Sequence, residues 1–212
     1  MKNKYFYSKI LLFGEYGIIK KSSGLSIPFK KFNGTLKLND KPNAKVEASN
    51  LEIQKFFEYI KANTNYLGRF NLQSLKEDIS NGLYFDSDIP KGFGVGSSGA
   101  LVAAIYDQYC DSDIDDLYEL KKIFSTMESY FHGNSSGLDP LVSFFNNPIF
   151  ISEGDVELLG DIKFLNSKIY LIDSKYSSST KEMIELFNNK MNDKYFSNFF
   201  NKSYINTTNE CI

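Results

Sequence analysis

The stretch Pro90-Lys91-Gly92-Phe93-Gly94-Val95-Gly96-Ser97-Ser98-Gly99-Ala100 constrains this chain more than any other part of it. Glycines alternate with other residues, two serines follow, and an apolar run from Leu101 reads as a helix. Glycine turns the backbone without a Cβ clash and lets it come close to a ligand. A helix starting at the serines points its unpaired N–H groups and the positive end of its dipole back into the loop. Loop and helix together predict an anion site, with phosphate the expected anion. The plain alternative is a tight turn feeding a helix.

Spacing tests two kinds of nucleotide loop. A Walker A loop has lysine after its final glycine, but Ser97 follows Gly96, which excludes that reading. Gly94-Val95-Gly96-Ser97-Ser98-Gly99 matches the dinucleotide pattern, which also asks for an acid about 20 residues on, at the end of a second strand. Asp111, Asp113, Asp115 and Asp116 fall between two helical stretches instead. An oxidoreductase therefore lacks its ribose-binding acid.

Periodicity supplies the surroundings. Phe6 to Phe13, Ile18-Ile19, Leu25 to Ile27, Thr35 to Leu38 and Leu83 to Phe85 read as strands, with breaks expected at Ser22-Ser23-Gly24 and Pro28. Asn50 is the expected cap of a helix carrying Leu51, Ile53, Phe56, Phe57 and Ile60. Leu101, Val102, Ile105, Tyr106 and Tyr109 form one helical face; Leu117, Leu120, Ile123, Phe124, Met127 and Phe131 form another. Strands are expected again at Pro148 to Ile151 and Lys168 to Ile172, and Ser179-Thr180-Lys181-Glu182 fits a capping box for a helix through Phe187. This order of elements is α+β. With 24 basic and 26 acidic residues the net charge is −2, which gives no nucleic-acid footprint. No apolar run reaches the ~20 residues of a membrane span. The two cysteines, Cys110 and Cys211, suggest no disulfide or metal framework, and a cytoplasmic location is expected.

Three further residues can carry chemistry. Glu128 and Asp139 flank the His132-Gly133 turn; each alone reads as a solvated helix acid or a turn-forming Asp-Pro. After a phosphate-type loop they gain a second reading, because phosphoryl transfer needs a metal ligand and a group to take the acceptor's hydroxyl proton. Lys9, on the first strand, is either an edge residue facing solvent or a charge that stabilises a developing alkoxide. His132, the single histidine, is expected to fix its turn rather than to act as acid or base.

These segments in this order resemble the GHMP kinase superfamily. Ser8-Lys9-Ile10-Leu11-Leu12-Phe13-Gly14-Glu15 is similar to its first motif, and residues 90–100 to its phosphate loop. The stretch from Glu128 to Asp139, with His132-Gly133 and Ser136-Gly137 inside it, is most similar to the mevalonate kinase branch. Tyr170-Leu171-Ile172-Asp173-Ser174-Lys175 resembles the start of the family's second domain. Tyr16, Val95 and Gly99 stand where histidine, leucine and alanine are common in the family.

The resemblance implies Asp139 as general base with Lys9 beside it. It implies Ser98 and Glu128 as magnesium ligands, with Ser97 able to exchange roles with Ser98. Pro90, Gly92, Gly94, Gly96, Ser97, Ser98 and Gly99 become the loop around the phosphates of ATP. The implied fold is a ribosomal protein S5 domain 2-like sandwich over residues 1–165, then the start of a second α/β domain over 166–212. The family's third, glycine-rich motif is missing, since the last glycine is Gly160, so a C-terminal truncation and an exposed apolar face are expected. The implied activity is ATP- and Mg2+-dependent phosphorylation of a small alcohol, with mevalonate the expected acceptor. The alternatives are a non-catalytic nucleotide or metabolite binder, a phosphomevalonate kinase, or a diphosphomevalonate decarboxylase. Oligomeric state stays open, a homodimer among the options.

Overall fold

A computed structural model describes residues 4–39, 41, 43–67, 70–111, 114, 116–160, 170–172, 175–176 and 180–212. Strands β1 (Phe6–Phe13) and β2 (Gly24–Leu38) form an antiparallel pair, joined by a turn that includes a short helical stretch at Ile18–Lys20. Helices α1 (Ala44–Ala62), α2 (Thr64–Leu67) and α3 (Leu72–Ser80) follow, and β3 (Leu83–Ser87) returns to pair with β2. Beyond the glycine loop come α4 (Ser97–Tyr109), α5 (Leu117–His132) and α6 (Leu138–Phe145), then the hairpin β4 (Ile149–Ser152) and β5 (Asp155–Leu158). Among the described residues the sheet has five strands, all pairings antiparallel, in the order β1-β2-β4-β5 with β3 on the far part of β2.

One apolar core joins sheet and helices. Helix α4 runs through its centre, with Ala100 to Ile105 each at most 3% exposed. Such all-round burial marks an interior helix, not an amphipathic one at the surface. Around it pack Phe56 and Ile60 of α1, Leu75 of α3, Phe124 and Met127 of α5, and Leu141 of α6. This burial fixes the start of α4, and therefore the loop before it, in a rigid frame.

Several local expectations change. Ile18 and Ile19 lie in a helical turn rather than a strand. The strands expected on either side of Pro28 are one 15-residue strand. Pro28 lies opposite Lys9, whose N–H turns away from β2 to the Val95 carbonyl, so β1 asks for no N–H from Pro28. On the other edge β4 pairs only with Gly24, Leu25 and Ser26, so no partner strand loses a bond there either. Helix α1 starts earlier than Asn50: Asn43 caps it, accepting from the N–H groups of Lys45 and Val46. Asn50 lies inside α1, and its amide donates to the carbonyls of Ile79 and Leu83. Helices α3 and α6 and strand β5 were not expected. Of the strand expected at 168–172, residues 170–172 are not strand, and the rest lies outside the described residues, as does Ser179 of the capping box. The helix through Phe187 is present as α7 (Thr180–Lys190). Helix α8 (Lys194–Phe199), a widened helical turn (Phe200–Tyr204) and α9 (Ile205–Cys211) complete the chain. No helix among the described residues is long and apolar enough to cross a membrane.

Candidate active site

The glycine loop takes the shape its composition predicts. Gly92, Gly94 and Gly96 all have positive φ, at 80°, 69° and 79°. Gly96 is the N-cap of α4 and has no side chain to satisfy the first-turn N–H groups. Residues 91–94 are exposed at the rim while Val95 and Gly96 are buried. The Lys9 N–H donates to the Val95 carbonyl at 3.0 Å, so β1 tethers the loop directly. A Cβ at Gly96 would stand 2.8 Å from Cγ of Lys9, so glycine there serves both the turn and the approach of the lysine.

Lys9 and Asp139 meet as an ion pair, Nζ to Oδ1 at 3.0 Å. Asp139 is not in a simple turn: it occupies the first turn of α6, whose N-cap is Gly137. One turn later on that helix, the Ser143 hydroxyl donates to the Tyr7 carbonyl at 2.8 Å. Positions four apart share a helix face, so α6 is fastened to β1 through two residues of one face. Gly99 packs against this same place: a Cβ there would lie 2.8 Å from the backbone carbon of Asp139. Its lack of a side chain thus sets how closely α4 approaches the carboxylate. Burial pushes the Lys9 ammonium down, but the charge and hydrogen bond of Asp139, helped by Glu15 and Glu128, outweigh it and leave the pKa above the usual lysine value.

Glu128, on α5, is 3% exposed. The Ser135 hydroxyl donates to its Oε2, while Oε1 is buried with no hydrogen-bond partner. Burial, followed by repulsion from Asp139, pushes its pKa up to about 8, against the favourable pull of Ser135, Lys9 and Ser98. A buried carboxylate oxygen left unpaired is costly, and a cation relieves that cost. The donor set fits Mg2+, which binds through one or two carboxylates together with substrate phosphates. Glu128 and Ser98 are the residues that would hold such an ion.

Ser98 Oγ lies 2.9 Å from Nε2 of His132 at the end of α5. Burial, only partly offset by the charge of Asp139, depresses the pKa of His132 below its ordinary value of 6.5. The neutral ring thus links the start of α4 to the end of α5. Beside them opens a cleft of about 470 Å³, whose walls include Ser49 and Glu52 of α1, Phe85 of β3, Lys91 of the loop, Ser97 and Ser98. Lys91 and Glu52 pair at 2.7 Å. The cleft matches the size of a small-molecule site. The α1 wall and the Ser98–His132 contact had no sequence signal, because both depend on helices brought together by the core.

The fold and site define a sheet-and-helix domain built around a glycine loop at a buried helix N-terminus. Residues 53–147 match the family described as GHMP kinases N terminal domain. The chain is 28% identical over 203 residues to mevalonate kinase of Pyrococcus abyssi (strain GE5 / Orsay), covering 84% of this chain. Against mevalonate kinase of Pyrococcus horikoshii it is 26% identical over 200 residues, again covering 84% of this chain. It spans 58% of the length of each of these relatives. The solved mevalonate kinase of Methanococcus jannaschii superposes with a TM-score of 0.47 at 16% identity, covering 74% of this chain and 55% of that one.

Proposed function

We propose that this site transfers the γ-phosphoryl group of ATP to the hydroxyl of a small alcohol, with mevalonate the acceptor. The observation that carries the reading is the Lys9–Asp139 pair, set beside a glycine-cradled helix N-terminus and an unsatisfied buried carboxylate. The mevalonate kinases of two Pyrococcus species, similar over most of the chain, support the choice of acceptor.

In this reading the loop N–H groups and the start of α4 hold the phosphates, with the nucleoside lying in the cleft between α1, β3 and α5. Asp139 accepts the hydroxyl proton of the acceptor. Lys9 stays charged and stabilises the alkoxide as it develops. Mg2+ bound at Ser98 and Glu128 would neutralise charge on the β- and γ-phosphates. The chain's own contribution is then chiefly position and electrostatics.

The test is ADP release by the purified 212-residue chain with ATP, Mg2+ and mevalonate, together with ATP binding by calorimetry. Mevalonate-dependent ADP release that Asp139→Asn abolishes while ATP still binds is the expected result. ATP binding without turnover would make the domain a nucleotide-binding module instead.

A further inference from the structure

The turn between α5 and α6 packs on the helix that carries Glu128 and holds one half of its carboxylate. Gly137, the N-cap of α6, sits so close to α5 that a Cβ there would run into the main chain of Lys121 and Ser125. The Ser125 hydroxyl, about one turn before Glu128, donates to the Ser135 carbonyl at 2.6 Å. Oγ of Ser135 accepts the Gly137 N–H at 3.0 Å. Ser135 is thus tied to α5 by its main chain and to the start of α6 by its side chain. Its one hydroxyl proton goes to Oε2 of Glu128.

The two oxygens of Glu128 therefore differ. Oε2 has a donor fixed in place, whereas Oε1 is buried and has no hydrogen-bond partner. If the Ser135 hydroxyl swung aside, the Gly137 N–H and Oε2 would both lose their partner, which is costly for groups this close to the core. That cost fixes the plane of the carboxylate and keeps Oε2 turned to Ser135. Ca2+ takes carboxylates through one oxygen or two, in a flexible shell. Mg2+ demands a near-ideal octahedron, which the narrow bite of a chelating carboxylate distorts. A carboxylate fixed to offer a single oxygen suits Mg2+ and disfavours Ca2+.

We propose that Ser135 is a positioning residue that makes Glu128 a one-oxygen ligand, through Oε1, and so selects Mg2+ over Ca2+. This rests on the reading of Glu128 and Ser98 as the holders of the nucleotide's metal. Ser135 acts through Glu128 and not on the phosphates.

The test titrates a non-hydrolysable ATP analogue into the full chain by calorimetry, without divalent ion, with Mg2+ and with Ca2+. It compares the unmodified chain with Ser135→Ala, Ser135→Thr and Glu128→Gln. The quantities read are the factor by which each ion strengthens binding of the analogue, and the ratio of the two factors. Groups that orient a metal's ligands are worth about 10–100-fold in metal affinity. Ser135→Ala should therefore lower the Mg2+ factor about tenfold and leave the Ca2+ factor within about twofold, because a freed carboxylate can chelate the larger ion. Ser135→Thr keeps the hydroxyl and should keep the preference of the unmodified chain. An unchanged ratio in Ser135→Ala overturns the proposal. So does an equal loss of both factors, which makes Ser135 a support for the turn and nothing more. If neither ion strengthens binding to the unmodified chain, or Glu128→Gln keeps the full Mg2+ factor, the metal reading itself falls and the proposal with it.

Discussion

The glycine loop and the turn after β1 are both fixed in place, yet they are held by different means. The loop is shaped by its own glycines and by neighbours within the central core: the Lys9 N–H of β1 donating to the Val95 carbonyl, the buried start of α4, Asp139 against Gly99. The turn has glycines too, but its Tyr16 is strained and its fastening comes from aromatic residues more than 170 positions further along. A loop built from local contacts keeps its form wherever the core is intact. A turn held by a remote segment keeps its form only while that segment is docked. The loop and the turn should therefore fail separately.

The largest break is expected at Asp139, which pairs with Lys9 and packs against Gly99. Asp139→Asn should lower turnover by about 10²–10⁴-fold while ATP binding stays within a few-fold, measured by steady-state kinetics and calorimetry. Loss of ATP binding to the same degree would place Asp139 in nucleotide binding rather than in proton transfer. Lys9→Met removes the charge but keeps the main-chain tether to Val95, and should cost on the order of 10²–10³-fold in turnover. A substantial change in ATP affinity there would mean that the side chain, not the backbone, orders the loop.

Next comes a change confined to the loop side. Gly99→Ala puts a methyl 2.8 Å from the backbone of Asp139, so α4 and α6 must part. Thermal unfolding should show a loss of roughly 1–3 kcal/mol, the usual range for overpacking. Turnover should fall as well, because the carboxylate moves. An unchanged melting temperature with full activity would show that the two helices can separate freely.

The smallest effect is electrostatic. Burial keeps His132 below 6.5 in the folded chain, so the unfolded chain binds more protons as pH falls. Stability contributed by the neutral ring is complete above pH 6.5 and declines as pH drops below it. His132→Gln should flatten that decline. Because it is the single histidine, one imidazole resonance reports its titration directly. A midpoint above 6.5 would mean that Asp139, and not burial, governs the ring.

Much of the loop side was legible in the sequence because its determinants are adjacent. Alternating glycines need no partner to turn the chain, and the apolar run from Leu101 could only be buried. The helical face of α5 that carries Leu120, Ile123, Phe124 and Met127 was readable for the same reason. Elsewhere tertiary contacts decided. Pro28 reads as a break until the register shows that its missing N–H faces no partner strand. Asn50 reads as a cap, yet its amide serves the Ile79 and Leu83 carbonyls across a helix packing. Asp139 before proline reads as a turn, although proline is well tolerated in the first turn of a helix, where its absent N–H has no partner to lose. The link from Tyr204 to Glu15 has no local signature at all, since aromatic residues in an Asn-rich tail point to no particular neighbour.

The irregularity between Tyr7 and Ser8 in the β1–β2 pairing has a consequence for the fidelity of folding. Side chains alternate faces along a strand, so a slip of one residue would bring Ser8 or Ile10 to the place of Lys9. A misregistered molecule could still bury most of its core, yet it would have no ammonium beside Asp139. A bulge makes neighbouring registers unequal and so marks the correct one. Regularising that step should then yield a population that is folded by every bulk measure and partly dead by titration of active sites.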